Sequence, residues 1–435
     1  MRTWKVSLAI LMAGAVMSLA FSFRKEVRPK KNYAPFVPPK GCVFRTLMGE
    51  ESADSSFRFK TPDKVVVSMD RGLAWIAKAQ NAKGGWGAGS HYHQQEMDPH
   101  AVPADPATTS MVAMAILRSG NTLTQGTYAL QLRKALYYLL ETVETSSPNS
   151  STITTETNTQ IQTKLGVNID VILTAQFLSN IIDYVQHDAA LKSRIKRSLD
   201  TCVQKIQQNQ QEDGSTSGAG WAGVLQSSLA NNALETAQSK GAAVDDGALE
   251  KSRTYQKSNY DARTGEAKTD MGAGIVLYSV TGSARASAKE ARKVKEEMEA
   301  AKKERRLPQS APASAENLQK IGYDRDKALK YSTAYEVYES AKVQAQREDV
   351  MDGFGSNGGE EFLSYLQTGE SMIINKDNTW QKWYDNISGR MINIQNNDGS
   401  WNGHHCITSP VFCTATCLLI LSVNNDVDKL VELGK

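Results

Sequence analysis

The stretch Met391 to Leu421, MINIQNNDGSWNGHHCITSPVFCTATCLLIL, decides the fold. Just upstream and into it, Trp380, Trp383, Tyr384, Ile387, Met391 and Ile394 recur at three- and four-residue steps, which places them on one stripe of an amphipathic helix. Gln395-Asn-Asn-Asp398-Gly399 then supplies turn residues, with Gly399 suited to the left-handed conformation that closes a helix. After Ser409-Pro410, every residue from Val411 to Leu421 is apolar or small. Such a helix has no side for water and must be buried all round. The unit is an amphipathic helix, a tight turn, a polar loop and a buried helix.

The turn carries Gln395-x-x-x-Gly399-x-Trp401. It occurs again as Gln80-x-x-x-Gly84-x-Trp86, and in eroded form as Gln210-x-x-x-Gly214-x-Thr216. At these residues the chain resembles the prenyltransferase and squalene/hopene-cyclase repeat superfamily, over roughly residues 66–424. The resemblance implies an all-α fold, an α/α toroid of outer and inner helices, in which the Gln and Trp side chains tie one helical hairpin to the next. The intervals between copies are 130 and 185 positions. Hairpins of about 60 residues put two units in the first interval and three in the second, six in all. Six is the closed ring of the resembled family.

The 435 residues carry a net charge of +3 and a pI near 8.4. That balance, with no basic-aromatic patch, argues against nucleic acid as a partner. The N-terminus has Arg2 and Lys5, an apolar run from Val6 to Phe23, then Arg24-Lys25, with Ala20-Phe-Ser22 as a small-x-small cleavage site. Residues 1–23 therefore read as a secretory signal. The run is also just long enough to span a bilayer, so an uncleaved membrane anchor is the alternative. Either way the body is expected outside the cytoplasm, periplasmic or secreted. Five cysteines (Cys42, Cys202, Cys406, Cys413 and Cys417) are too few and too uneven for a disulfide scaffold. A Cys406–Cys413 pair stays open in an oxidising compartment.

The domain plan is an extended lead-in over 24–64, the toroid over 65–425 and a tail over 426–435. Outer helices are expected near Val65–Gln80, Leu130–Val143, Leu191–Gln208 and Leu249–Ser258, with inner partners at Thr108–Leu117, Asn168–Val185, Trp221–Ala237 and from Thr269. Helix signals resume over Asp324–Gln346 and Glu360–Ile373. The Ser/Thr/Asn-rich segment before Gln162 reads as a mobile loop. Ala284 to Arg306 is an Ala/Lys/Glu/Arg helix with little apolar stripe; with the Pro-containing segment after it, about 284–323 reads as a charged, solvated insertion or a protein-binding arm.

Five of the six histidines lie in two loops, His91, His93 and His100 after the first intact motif, His404 and His405 after the last; His187 stands apart. In a closed ring those loops are neighbours over the mouth of the central cavity, together with Cys406, Asp98 and Asp105. Imidazole, thiolate and carboxylate suit Zn, so His91, His93, His100, His404, His405 and Cys406 are the candidate metal ligands. The alternative is a polar rim whose histidines cap helices or bond to backbone. Inner-helix starts bring Asp105 with Thr108, Asp170, Glu360 with Glu361, and Thr408 with Ser409 to the same mouth, and capping explains most such residues. Glu360-Glu361 follows a Gly-rich loop, and adjacent acids in a cleft can hold a proton at neutral pH. His405, Glu360, Glu361 and Asp105 are the candidate acid–base groups.

Two functions follow. In the first, the central cavity binds an apolar or extended ligand: a lipid, isoprenoid, peptide or glycan. In the second, a metal- or carboxylate-assisted hydrolase, lyase or transferase works at the His-rich mouth. The Asp-x-Asp-Asp cluster with which the resembled cyclases protonate substrate is missing, the nearest string being Asp245-Asp246. Nor do an Asp, a Cys and a His align with the zinc ligands of the resembled prenyltransferases. These absences favour binding.

Overall fold

The structure is a computed structural model that describes Phe57, residues 59–355 and residues 358–435, all within the compact unit Thr46–Lys435. The signal or anchor segment, most of the lead-in and Cys42 lie outside the described residues. Among the described residues there are sixteen α-helices and no strand. Amphipathic and buried helices alternate. Helix α1 (Asp63–Lys78) leads to α2 (Pro106–Arg118), and α3 (Ala129–Thr145) leads through the short α4 (Gln160–Leu165) to α5 (Ile169–Ile181). Next come α6 (Ala189–Gln208) with α7 (Gly223–Ser239) and α8 (Asp246–Lys257) with α9 (Val276–Lys303). Then α10 (Ala315–Lys320) precedes α11 (Arg325–Gln344), which reaches α13 (Gly359–Ile374) through α12 (Glu348–Met351). Finally α14 (Trp380–Asn393) leads to α15 (Pro410–Leu421), and α16 (Val427–Leu433) ends the chain.

The pattern of each helix explains its place. In α1, Val65, Met69, Leu73 and Ile76 are buried and form one stripe. In α15 all twelve residues are buried, as an apolar surface on every side requires. Among the buried helices, α2 packs on α5, α5 on α7, α7 on α9, α9 on α13 and α13 on α15. Helix α15 packs back on α2, and α1 also lies against α15. The last buried helix therefore touches the first.

The turn motif makes this register. The Gln80 side-chain amide donates to Gly84 O at 2.7 Å and to Gln131 O, at the start of α3, at 2.9 Å. Gln210 does the same to Ala248 O in α8 at 2.9 Å. Gln395 donates to Gly399 O at 2.8 Å and to Ser68 O in α1 at 3.0 Å, joining residues 327 positions apart. Each motif thus grips the next amphipathic helix, and the last grips the first. The glycines explain the turn. Gly84, Gly214 and Gly399 have φ of +91°, +92° and +99°. A Cβ at Gly399 would stand 2.7 Å from Arg71 O, one at Gly84 2.9 Å from Lys134 O, and one at Gly214 2.2 Å from Lys251 O. Only glycine fits both the backbone sign and the space. Buried Trp86 and Trp401 donate their indole N–H to Ile76 O and Met391 O, both at 2.8 Å, locking each turn to its own helix. A fourth copy, which the sequence pattern hides, has Tyr260 at the Gln position and one extra residue before Gly265 and Ala267. Its hydroxyl reaches Ser340 of α11 at 2.6 Å.

Three segments differ from the sequence reading. No break separates a charged insertion at Ala284, since α9 runs unbroken to Lys303 with Ala284, Ala288, Ala291, Val294, Met298 and Ala301 buried. The stripe is built largely from alanine, which hydropathy under-weights. The arginines that made it look solvated are also buried: Arg285 pairs with Glu235 at 2.9 Å and Arg292 donates to Val431 O at 2.6 Å. Met298, Leu307 and Leu318 form a small second core beyond it. The 426–435 tail is helical in α16 and packs on α13, with Leu430 and Val431 buried. The Ser/Thr/Asn-rich segment is anchored, because the Lys205 ammonium donates to Ser147 O and Ser150 O, both at 2.6 Å.

Candidate functional site

The starts of the buried helices gather at one end, and short hydrogen bonds tie them together. Thr408, just before α15, donates its hydroxyl to Gln94 O at 2.6 Å, so the loop of the first hairpin meets the loop of the last. The Gln160 side-chain oxygen in α4 accepts from Thr408 N at 2.8 Å and Ser409 N at 3.1 Å, capping α15 from outside. Helix α4 is held by a capping box between Thr159 and Gln162. That places Lys164, almost fully buried, with its ammonium 3.5 Å from the centre of the Trp221 ring.

At the start of α13, Glu360 and Glu361 are both buried. Glu361 Oε1 accepts from the Tyr278 hydroxyl at 2.8 Å and from Phe354 N at 3.2 Å. Its Oε2 has no hydrogen-bond partner among the described residues, and neither has the Gln160 amide nitrogen. Glu360 Oε2 accepts from Ile407 N at 3.4 Å. Burial, reinforced by the charge of Glu361, pushes the Glu360 carboxyl up to about 8, so it holds a proton at neutral pH. Burial also raises the Tyr278 hydroxyl, and the two acids add to it. Burial and the neighbouring Glu360 push the Cys406 thiol up to about 12, which makes it a poor thiolate nucleophile. Glycine opens the space: a Cβ at Gly353, where φ is +54°, would lie 2.6 Å from Glu361 Oε1.

The other expected site residues distribute as follows. Asp105 is a cap. Its oxygens accept from Thr108 N at 2.7 Å, the Thr108 hydroxyl at 2.8 Å and Ala88 N at 2.9 Å, and burial raises its carboxyl above the usual carboxylate range. Asp170 likewise accepts from Ile153 N at 2.8 Å and Val171 N at 2.9 Å. His91 bonds through Nδ1 to the Gln94 side chain at 2.6 Å and stands edge-on to Trp221. Burial and then the Lys164 charge hold its imidazole below the usual range. His93, His100 and His404 are exposed; His405 is half-buried with its ring 5.0 Å from that of Phe354. His187 is exposed in the turn before α6, at the other end of the helices. Among the described residues, no three His, Cys, Asp or Glu side chains converge on a point that could hold a metal ion. Cys406, Cys413 and Cys417 are free thiols, the last two in the core.

Gln160, Lys164, Trp221, Tyr278 and Phe354 belong to the mouth without any sequence signal. Each is isolated in the chain, and only packing brings them beside the acid pair. At the far end, a cavity of about 50 Å³ is lined from α2, α5, α7, α13 and α15, including Met111, Leu173, Asn232, Gln367 and Leu419. It has room for a few water molecules. No protein-family model matches the chain, and no curated protein matches it significantly.

Proposed function

We propose that the chain is an α/α toroid and that its mouth is the acid–base site of a hydrolase acting on an extended polymer. The return of α15 onto α2 and the Gln395 grip on α1 support the ring. The carrying observation for the chemistry is the adjacent buried pair: burial and the neighbouring Glu361 raise Glu360 to about 8, so it holds a proton at neutral pH, while among the described residues Glu361 Oε2 has no hydrogen-bond partner. Glu360 would give its proton to the leaving oxygen as the substrate bond breaks. Glu361 Oε2 would take a proton from the attacking water, whose hydroxyl ends on the other fragment. Tyr278 and the Phe354 amide orient Glu361 through its second oxygen. The far cavity, with room for a few waters, gives less support to an apolar guest inside the ring, because an isoprenoid or acyl chain would need the helices to part.

The test is turnover by purified protein on a panel of soluble polymers, with released ends and unsaturated products both measured. Glu360→Gln and Glu361→Gln should each lower kcat about 100-fold or more while leaving helix content intact. Unchanged kcat in both variants would sink the acid–base reading.

A further inference from the structure

We infer that Lys164 is a positioning residue of the acid pair, a fixed positive charge that stabilises the carboxylate left on Glu360 when its proton departs. The inference rests on the acid–base reading of the mouth. Lys164 is 2% exposed, and an ammonium is rarely buried without an opposing charge. Yet no carboxylate stands within ion-pair distance of it among the described residues, and no cation stands that close to Glu360 or Glu361. Two neighbours answer its charge. One is the Trp221 ring, with its centre 3.5 Å from the ammonium. The other is the acid pair, across residues 407–409. Gln160 lies one turn before Lys164 on the same side of α4, and its side-chain oxygen accepts from Thr408 N at 2.8 Å and Ser409 N at 3.1 Å. Glu360 Oε2 accepts from Ile407 N at 3.4 Å, so α4 and the start of α13 flank one tripeptide.

The backbone carries ring and ammonium together. The main-chain N–H of Trp221 donates to Thr163 O at 3.3 Å and that of Ala222 to Lys164 O at 2.7 Å. A Cβ on Gly220 would come within 2.6 Å of Lys164 O, so this seating needs glycine beside the tryptophan. Lys164 need touch no substrate, because a charge in buried surroundings acts at a distance with little screening. When Glu360 gives up its proton, two carboxylates share one buried site, and like charges oppose that step. Burial and the Glu361 charge strengthen the hold of Glu360 on its proton, and the Lys164 charge weakens it. The other titratable groups around the site are Tyr278 from α9, Cys406 and His405 from the loop before α15, His91 from the first hairpin loop and Asp170 from α5. Lys164 is the one lysine or arginine in that set.

The experiment follows the Glu360 carboxyl by carbon NMR through a pH titration of the full-length protein with carboxyl-labelled glutamate, the signal being assigned by its loss in Glu360→Gln. Lys164→Met keeps the length of the side chain on the Trp221 ring and removes the charge. It should tighten proton binding by Glu360 about threefold or more, lower kcat and move the alkaline limb of the pH profile upward. Lys164→Arg should restore all three, which a purely structural role would not require. Trp221→Leu, at a position 58% exposed, releases the ammonium and should tighten proton binding in the same direction, even where Lys164→Met fails to fold. Proton binding unchanged in the folded variants overturns the inference. If Lys164→Met tightens proton binding while Glu360→Gln leaves turnover intact, the acid–base reading falls and the electrostatic coupling stands. If Glu360→Gln stops turnover and no Lys164 or Trp221 variant alters proton binding, the coupling falls and the acid–base site stands.

Discussion

Glu360 has a pH signature of its own. Its folded value of about 8 lies above the ordinary carboxylate value, so the folded state keeps a proton that the unfolded chain has released. Stability should therefore fall as pH rises through the interval between those values, and Glu360→Gln should flatten the fall. Asp170, raised by burial to about 7, adds a slope of the same sign and leaves a remainder. Denaturant titrations at pH 5 and pH 9 should show Glu360→Gln gaining about 1–3 kcal/mol relative to wild type at the higher pH. An unchanged difference between the two pH values would mean that Glu360 is ionised when buried. Gly399 makes a second residue-scale test. Gly399→Ala meets both a φ of +99° and the Arg71 carbonyl, and should cost about 2 kcal/mol or more in the same assay. Gly389, with nothing near its missing Cβ, is the matched control, since Ala should be tolerated or favoured in that helix.

At the scale of elements, α9 separates pattern from packing. A sequence rich in Ala, Lys, Glu and Arg has the composition of a solvated arm, yet Val294, Met298 and Ala301 are buried against the following helices. Met298→Ala should cost about 2–4 kcal/mol, whereas an arm in solvent would lose almost nothing. The same helix takes part in a buried ionic network. Arg285 pairs with Glu235, and Arg118 holds Glu370 at 2.8 Å and Asp426 at 2.6 Å, linking α2, α13 and the segment before α16. Truncating Arg118 to Met removes the nearest cation from buried Asp426 and half-buried Glu370 and leaves only the longer contacts to Lys429 at 3.7 Å and Arg285 at 3.9 Å, so the loss should reach about 3 kcal/mol and shrink in acid as Asp426 protonates. The helix boundaries themselves were legible. Turn glycines, Pro at the first helical position and apolar periodicity located most of the buried and amphipathic helices to within a few residues, because each signal is local to the element it ends; the exception is α9, expected from Thr269 and to end before Ala284 but running from Val276 to Lys303.

At the scale of the whole molecule, the proposed ring makes the two ends of the helical body, near Phe59 and Asn424, neighbours of one another. Phe59 O accepts from Asn424 at 2.6 Å, and Gln395 bonds Ser68. A circular permutant that joins these ends by a flexible linker and opens the chain in the exposed turn near Pro148 should keep the helix content and unfold cooperatively. Loss of cooperative unfolding would count against closure. In the same arrangement Gln395→Ala should destabilise by about 1–2 kcal/mol, with Gln80→Ala similar, because both amides bridge turn and neighbouring helix alike.

Residue pattern alone determined that this protein is helical, that buried and amphipathic helices alternate, and that Glu360-Glu361 merited attention at a helix start. These are properties of neighbouring residues, and periodicity, capping and turn chemistry act over a few positions. Tertiary structure decided the rest: that Thr408 meets Gln94, that Lys164 lies under Trp221, that Asp105 caps α2, and that both glutamates are buried side by side. Burial and proximity across hundreds of positions arise only when helices pack, and they, more than residue type, set the protonation of an acid.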